Sequence, residues 1–396
     1  MSLNAAVSAE RVHIAFFGRR NAGKSSVVNA VTNQKISVVS DTLGTTTDPV
    51  QKAMELLPLG PVVIIDTPGF DDEGALGELR VARTREVLRK TDVAVLVVDA
   101  SAGLTDADQA LLTELRDRRL PHLIAYNKSD LLDLIPAAGE GEIYISALSG
   151  AGIHEMKERL AALVKSEEKE KLIVADLIPE GGTVILVIPI DGSAPKGRII
   201  LPQQQVLREL LDHHMTVICC QPQELSAAIA NLAKKPALVI TDSQAFGRVS
   251  GDVPREIPMT SFSILFARYK GDLNRLISGA SALAQLKDGD RVLISEGCTH
   301  HRQCGDIGTV KLPAWIRAYS GAQVDFDFTS GGTFPDDLSP YRVIVHCGGC
   351  MLNEKEMQYR QSAAKAAGVP MVNYGVAIAK MNGILDRALK PLMKNE

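Results

Sequence analysis

The sequence predicts an α/β protein: a doubly wound first domain with a mainly parallel sheet, followed by two smaller α/β domains with parallel sheets. Three observations carry this. Apolar, strand-like runs alternate with helical patterns along the chain, the rhythm of βαβ units. The runs Val12–Phe17, Val62–Ile65, Val93–Val98 and His122–Tyr126 read as buried strands, each ending in a polar loop that leads into a helix. A charged break, Lys165–Lys171 (KSEEKEK), then separates this block from two further α/β patterns.

The 396 residues suit two or three domains, on the usual ~100–200 residues each. The boundaries expected are 1–170, 171–268 and 269–396. In the second block the pattern gives a strand at Thr183–Ile190, a helix at Gln203–His213, a strand at Thr216–Cys220, a helix at Pro222–Lys234 and a strand at Ala237–Thr241. Pro222 suits a first helical turn, where its missing N–H costs nothing. The third block reads as a helix over Gly271–Leu286, strands at Arg291–Ser295, Val324–Phe328 and Arg342–His346, a helix over Glu354–Ala367, a strand at Met371–Asn373 and a last helix over Val376–Lys390.

A net charge of −4 gives no basic field to draw the chain onto nucleic acid or an acidic membrane. The longest apolar runs are far too short to span a bilayer, and the first residues hold no apolar signal core. The expectation is a soluble cytoplasmic protein with neither a nucleic acid nor a membrane as partner.

Gly18-Arg19-Arg20-Asn21-Ala22-Gly23-Lys24-Ser25 fits the phosphate-binding loop GxxxxGK[ST], between a strand and a helix as that motif requires. Gly18, Ala22, Gly23 and Ser26 would contribute backbone to a phosphate cradle at a helix N-terminus. Lys24 would bridge the β- and γ-phosphates and Ser25 would bind Mg²⁺. Asp66-Thr67-Pro68-Gly69 follows the second strand. There Asp66 can reach Mg²⁺ through water and the Gly69 amide can sense the γ-phosphate. Asn127-Lys128-Ser129-Asp130 ends another strand, and Asp130 can accept guanine's N1–H and N2 amino hydrogens, which adenine cannot supply. Ser146 and Ala147 would support the base, so the ligand expected is GTP. Between these motifs lies Gly44-Thr45-Thr46-Thr47-Asp48, where Thr46 is the expected completion of the Mg²⁺ shell.

These motifs resemble the bacterial GTPases of the tRNA-modification (MnmE) and Era type, and so imply a Ras-like P-loop GTPase domain. In that lineage the switch pattern is GTTRD; here Thr47 replaces the arginine. Phe70 stands where Ras-like proteins carry a water-orienting glutamine, which implies slow intrinsic hydrolysis. Asn21 occupies the position of the potassium-binding asparagine of K⁺-activated relatives, so K⁺ is a candidate cofactor that would stand in for an arginine finger.

The cysteines are Cys219, Cys220, Cys298, Cys304, Cys347 and Cys350. A disulfide framework is not expected in a large cytosolic chain. Cys219 and Cys220 read as packed residues at a strand end. Cys298-Thr299-His300-His301 and His346-Cys347-Gly348-Gly349-Cys350 form CxH followed, after 45 intervening residues, by HCxxC. Both follow predicted strands, where ligands gather at the carboxyl edge of a parallel sheet. A metal-free buried cluster, a Cys/His structural zinc site and an iron–sulfur cluster with three thiolates and one non-thiolate or open position all fit. Cys304 is a competing ligand.

A GTPase block followed by CxH…HCxxC resembles the HydF family of [FeFe]-hydrogenase maturation GTPases, over essentially the full length. The resemblance implies a GTP-binding domain (1–170), a dimerisation domain (171–268) that makes a homodimer, and an iron–sulfur domain (269–396). It implies a [4Fe-4S] cluster on Cys298, Cys347 and Cys350, with His346, His300 or another group such as His301 or Glu296 at the fourth iron. It also implies a scaffold that carries a transient di-iron subcluster to the hydrogenase HydA, with the radical-SAM maturases HydE and HydG as further partners. The competing reading is an Era-like GTPase acting on RNA or the ribosome with a structural zinc site. The acidic balance and the cysteine–histidine pattern stand against it. A stand-alone iron–sulfur enzyme is disfavoured because the chain holds no CxxxCxxC radical-SAM motif.

Overall fold

The computed structural model describes residues 8–34, 50–69, 83–167, 171–190, 199–297 and 306–393, in two compact units, Met1–Lys169 and Glu170–Glu396. The first unit runs β1 (Val12–Phe17), α1 (Lys24–Thr32), β2 (Val50–Leu56), β3 (Gly60–Asp66), α2 (83–89), β4 (Val93–Asp99), α3 (Asp106–Asp117), β5 (His122–Asn127), β6 (Glu142–Tyr144) and α4 (Ile153–Glu167). Its described strands form a sheet in the order β2-β3-β1-β4-β5-β6. All neighbours run parallel except β2, which pairs antiparallel with β3. Successive β1 side chains enter opposite layers. Ile14 and Phe16 pack with Val95 and Val97 on one face, Ala15 and Phe17 with Leu96 and Val98 on the other. Burial on both faces is why these strands read as unbroken apolar runs.

The second unit runs β7 (Thr183–Val187), α5 (Leu201–Asp212), β8 (Thr216–Cys220), α6 (Leu225–Ala230), β9 (Leu238–Thr241), α7 (Phe246–Asp252), β10 (Met259–Ser261), α8 (Phe262–Lys270) and α9 (Leu273–Gly279). It continues through β11 (Arg291–Glu296), α10 (Leu312–Ser320), β12 (Asp325–Ser330), β13 (Val343–His346), α11 (Glu354–Ala366), β14 (Met371–Asn373), α12 (Tyr374–Met381) and α13 (Leu385–Leu389). Its described strands make two parallel sheets, ordered β10-β9-β7-β8 and β12-β11-β13-β14. The expected second and third domains each own one sheet, but the two share an apolar layer. Ile185, Val187 and Val239 of the first join Val292, Ile294, Val343 and Val345 of the second in one core.

Three expected helices are shorter or broken. Over Pro222–Lys234 a 3-10 turn, Pro222–Glu224, precedes the short α6. Over Gly271–Leu286 the helix ends at Gly279, where the chain presses on the Met371 carbonyl, and a 3-10 segment continues to Gln285. The last helix splits into α12 and α13 at Gly383, where φ is +68, and the Asn382 side-chain amide donates to the Ile378 carbonyl at 2.8 Å at that helix end. Among the described residues no helix is long and apolar enough to cross a membrane.

Candidate nucleotide site and cysteine centre

In the first sheet β1 lies between β3 and β4, and the loop leaving β1 opens at this switch in strand order, where α/β sheets bind ligands. Gly23 caps α1 with φ +85, and a Cβ there would collide with the Asn127 side-chain amide. Only glycine allows both that backbone angle and that approach. Lys24, buried at the first turn of α1, donates to the Arg19 carbonyl at 3.2 Å. Asn21, with φ +61, is exposed in the same loop. The Ser25 hydroxyl donates to Asp66 Oδ2 at 2.8 Å. Asp66 Oδ1 is buried and has no hydrogen-bond partner. An acidic oxygen orphaned beside a serine hydroxyl fits a hard cation such as Mg²⁺. Thr67 anchors the adjoining loop, its hydroxyl donating to the Phe16 carbonyl at 2.7 Å. Gly69 is the last described residue before 70–82.

Asn127 is 2% exposed. It donates to the Ala22 carbonyl at 3.0 Å and accepts from the Ala147 amide at 3.0 Å, which ties the phosphate loop to the last loop of the site. Ser146 is buried, and its hydroxyl accepts from the Ser149 amide at 3.1 Å. Asp130 is exposed on a short 3-10 turn. Two ion pairs join these loops to acidic residues. Lys128 donates to Asp99 at the end of β4 across 2.6 Å. Burial pulls the Asp99 carboxyl up, but Lys128 and Ser101 together hold it below the usual carboxylate value. Arg19 pairs with buried Asp108 at 3.5 Å. No motif marks either acid. Thr46 with its segment 44–48, and Phe70, lie outside the described residues.

The third sheet has its own switch in strand order, with β11 flanked by β12 and β13, and Ser295 of β11 stands opposite His346 of β13. Cys347 follows immediately, its amide donating to the Ser295 carbonyl at 3.0 Å. The Cys347 sulfur accepts from the Gly297 amide at 3.0 Å and the Gly349 amide at 3.3 Å. Gly349 has φ +64, and a Cβ on it would sit 2.6 Å from the Met357 sulfur. Burial pushes the Cys347 thiol up to about 11, with Cys350 adding to the shift while the two amides oppose it. Burial also raises Cys350, against the pull of Lys270 and of the Cys350 and Met351 amides. Lys270, at the end of α8, donates to the carbonyls of Gly349 at 3.0 Å, Cys350 at 3.3 Å and Leu352 at 2.7 Å. Glu296, buried at the end of β11, accepts from the Tyr374 hydroxyl at 3.2 Å.

His346, a candidate ligand, is held by its neighbours on both ring nitrogens. It is 0% exposed, its Nδ1 lies 2.8 Å from the Cys347 carbonyl, and its Nε2 lies 3.0 Å from Arg360. Burial, then the Arg360 charge, hold the imidazole down to about 3, so it is neutral, with Nδ1–H donating and Nε2 accepting. Both ring nitrogens are thus engaged in hydrogen bonds. Cys298, His300, His301 and Cys304 lie outside the described residues. Among the described residues no group of three or more His, Cys, Asp or Glu side chains is gathered to hold a metal ion. Two cysteines on one loop, with amides aimed at sulfur, are nonetheless the donor type that an iron–sulfur cluster takes. Cys219, next to last in β8, is exposed rather than packed, while Cys220 at the strand end leans on the core.

Two family models match the second unit: the hydrogen maturase F dimerization domain over residues 173–271 and the hydrogen maturase F tetramerization domain over residues 274–391. Together they span more than half of the chain.

The chain belongs to the hydrogen maturase F family.

A third model, described as 50S ribosome-binding GTPase, matches residues 13–128, so the first unit is a P-loop GTPase domain. Curated relatives match a shorter stretch. The tRNA modification GTPase MnmE of Nitrosospira multiformis is 33% identical over 162 residues, which is 39% of this chain and 35% of that protein. The MnmE of Nitrosomonas europaea is 35% identical over 162 residues, 40% of this chain and 35% of that protein. The matched stretch therefore spans about a third of the length of these relatives. A solved structure of Era in complex with MgGDPNP and a 16S ribosomal RNA segment is 19% identical, covering 53% of this chain and 93% of that one at a TM-score of 0.36.

Proposed function

We propose that this protein is a GTP-hydrolysing switch and metallocluster scaffold in [FeFe]-hydrogenase maturation. It would hold a [4Fe-4S] cluster through Cys298, Cys347 and Cys350, and deliver a di-iron precursor to the hydrogenase HydA, with HydE and HydG as further partners. The observation that carries the reading is a contact at the carboxyl edge of the third sheet: the Gly297 amide, one residue before Cys298, donates to the Cys347 sulfur at 3.0 Å. Family membership and the GTPase domain support it.

Bound GTP and Mg²⁺ would supply a γ-phosphoryl group and a Lewis acid for its transfer to water. The chain's own residues prepare the site. The α1 N-terminus and Gly23 shape the phosphate cradle, Lys24 brings positive charge, and Ser25 with Asp66 holds the cation. Asn127 fixes the loop that carries Lys128 and Asp130. Asn21 would hold an activating K⁺; equal hydrolysis rates in K⁺ and Na⁺ remove that role. Self-association would use the second unit, where β8 is a sheet edge.

The test is anaerobic reconstitution of the full chain with iron and sulfide. Wild type and Lys24→Ala take up iron, and Lys24→Ala loses tight GTP binding. Cys298→Ser, Cys347→Ser and Cys350→Ser lose the iron and keep GTP hydrolysis. Colourless wild-type protein holding stoichiometric zinc overturns the reading and favours the RNA-directed GTPase.

A further inference from the structure

A buried lysine that no nucleotide or cysteine motif marks holds the cysteine loop in place. Lys270 is 3% exposed. Burying an amine there is tolerable only if its donors are satisfied. Three carbonyls of one short segment, those of Gly349, Cys350 and Leu352, lie within 3.3 Å of its Nζ. Three acceptors match the three N–H groups of an ammonium; a neutral amine has only two.

The peptide geometry gives this contact a direction. In a trans peptide the C=O and the following N–H point opposite ways. The Gly349 and Cys350 carbonyls turn toward Lys270, so the next amides, those of Cys350 and Met351, turn away from it. Both belong to the two peptide groups that flank the Cys350 side chain. Lys270 thus fixes the orientation of both peptide planes around Cys350. Amides on sulfur and nearby positive charge both favour the reduced form of a thiolate-bound cluster.

We propose that Lys270 is a positioning residue for the cluster loop: through three carbonyls it anchors the backbone on both sides of Cys350 and holds a fixed positive charge beside it. This rests on the reading of Cys347 and Cys350 as cluster ligands.

The test uses the full chain, wild type against Lys270→Met and Lys270→Arg. Before iron is added, hydrogen exchange at the Cys350 and Met351 amides is expected to speed up about tenfold in Lys270→Met, while exchange in the β11 core stays unchanged. After anaerobic reconstitution, reduction of the cluster in Lys270→Met is expected to be about tenfold less favourable, ~59 mV more negative for a one-electron couple. Lys270→Arg keeps the charge but not the three-point contact, so it restores the potential and leaves the exchange fast. If Lys270→Met does not fold, Lys270→Arg carries the test, and wild-type exchange at those two amides overturns the inference. Iron-loaded Lys270→Met with wild-type exchange and potential overturns the inference alone. Wild-type protein that takes up no iron overturns the cluster reading and this inference with it.

Discussion

The Ser25 hydroxyl donates to one oxygen of Asp66 across 2.8 Å, while the other Asp66 oxygen is buried without a hydrogen-bond partner. A buried carboxylate oxygen left unpaired is costly, and a cation is the natural compensation. Asp66→Asn should weaken Mg²⁺-dependent GTP binding by about 10- to 100-fold, since interactions of a charged group are worth ~1.5–3 kcal/mol. Fluorescent-nucleotide titration in Mg²⁺ and in EDTA checks this. The variant should bind alike in both, and a retained Mg²⁺ advantage would contradict the assignment.

Asn127 joins two loops through a buried hydrogen bond to Ala22 and a partly buried one to Ala147. Removing it orphans the Ala22 carbonyl and the Ala147 amide, at ~1–3 kcal/mol for each buried group. Asn127→Ala should therefore weaken GTP and GDP binding together by at least about tenfold. Asp130→Ala, at an exposed position, should instead erode the preference for guanine over adenine nucleotides. Competition titrations with GTP and ATP separate the two effects.

Arg360 is fully buried and donates to Glu356 at 2.8 Å, His346 at 3.0 Å, Ser295 at 3.3 Å and the Gly331 carbonyl at 2.8 Å. Arg360→Met leaves the Glu356 carboxylate buried without its cation and should cost ~3–5 kcal/mol, read as a lower urea midpoint. His346→Ala should also cost stability, yet leave the iron content and EPR line shape of reconstituted protein unchanged. A changed line shape would place His346 in the ligand set.

The edge strand β8 presents Ile218 and Cys220 half-buried and Cys219 exposed, with one side of the strand unpaired in its sheet. An apolar edge of this kind invites pairing with a second chain. Ile218→Arg should halve the mass measured by light scattering while GTP hydrolysis persists. An unchanged mass would place self-association elsewhere.

Most of the parallel architecture was legible because strands buried on both faces leave unbroken apolar runs, as Val93–Val98 does. The antiparallel β2 was missed because VQKAMEL is mostly exposed and carries no such run. Helix α8 was missed for the opposite reason. Phe262, Ile264, Leu265, Phe266 and Ala267 are all buried, so no polar face marks the helical period. Lys270 ends that helix and was overlooked with it. The phosphate loop and its partners were visible as motifs because backbone geometry dictates their glycines and caps. Asp99, Asp108 and Arg360 were not, since they act through tertiary contacts that no local spacing encodes. His346 shows the converse limit: its place beside CxxC suggests a ligand, while its burial against Arg360 is a tertiary contact that no local spacing encodes.

In the proposed function a GTPase domain and a cysteine-held iron–sulfur cluster share this chain. EPR of the reconstituted, dithionite-reduced full-length protein tests it most directly. A four-iron signal is predicted in wild type, lost in Cys347→Ser and Cys350→Ser, with GTP hydrolysis intact in all three. An undiminished signal in either cysteine variant, or no iron signal in wild type, would contradict it.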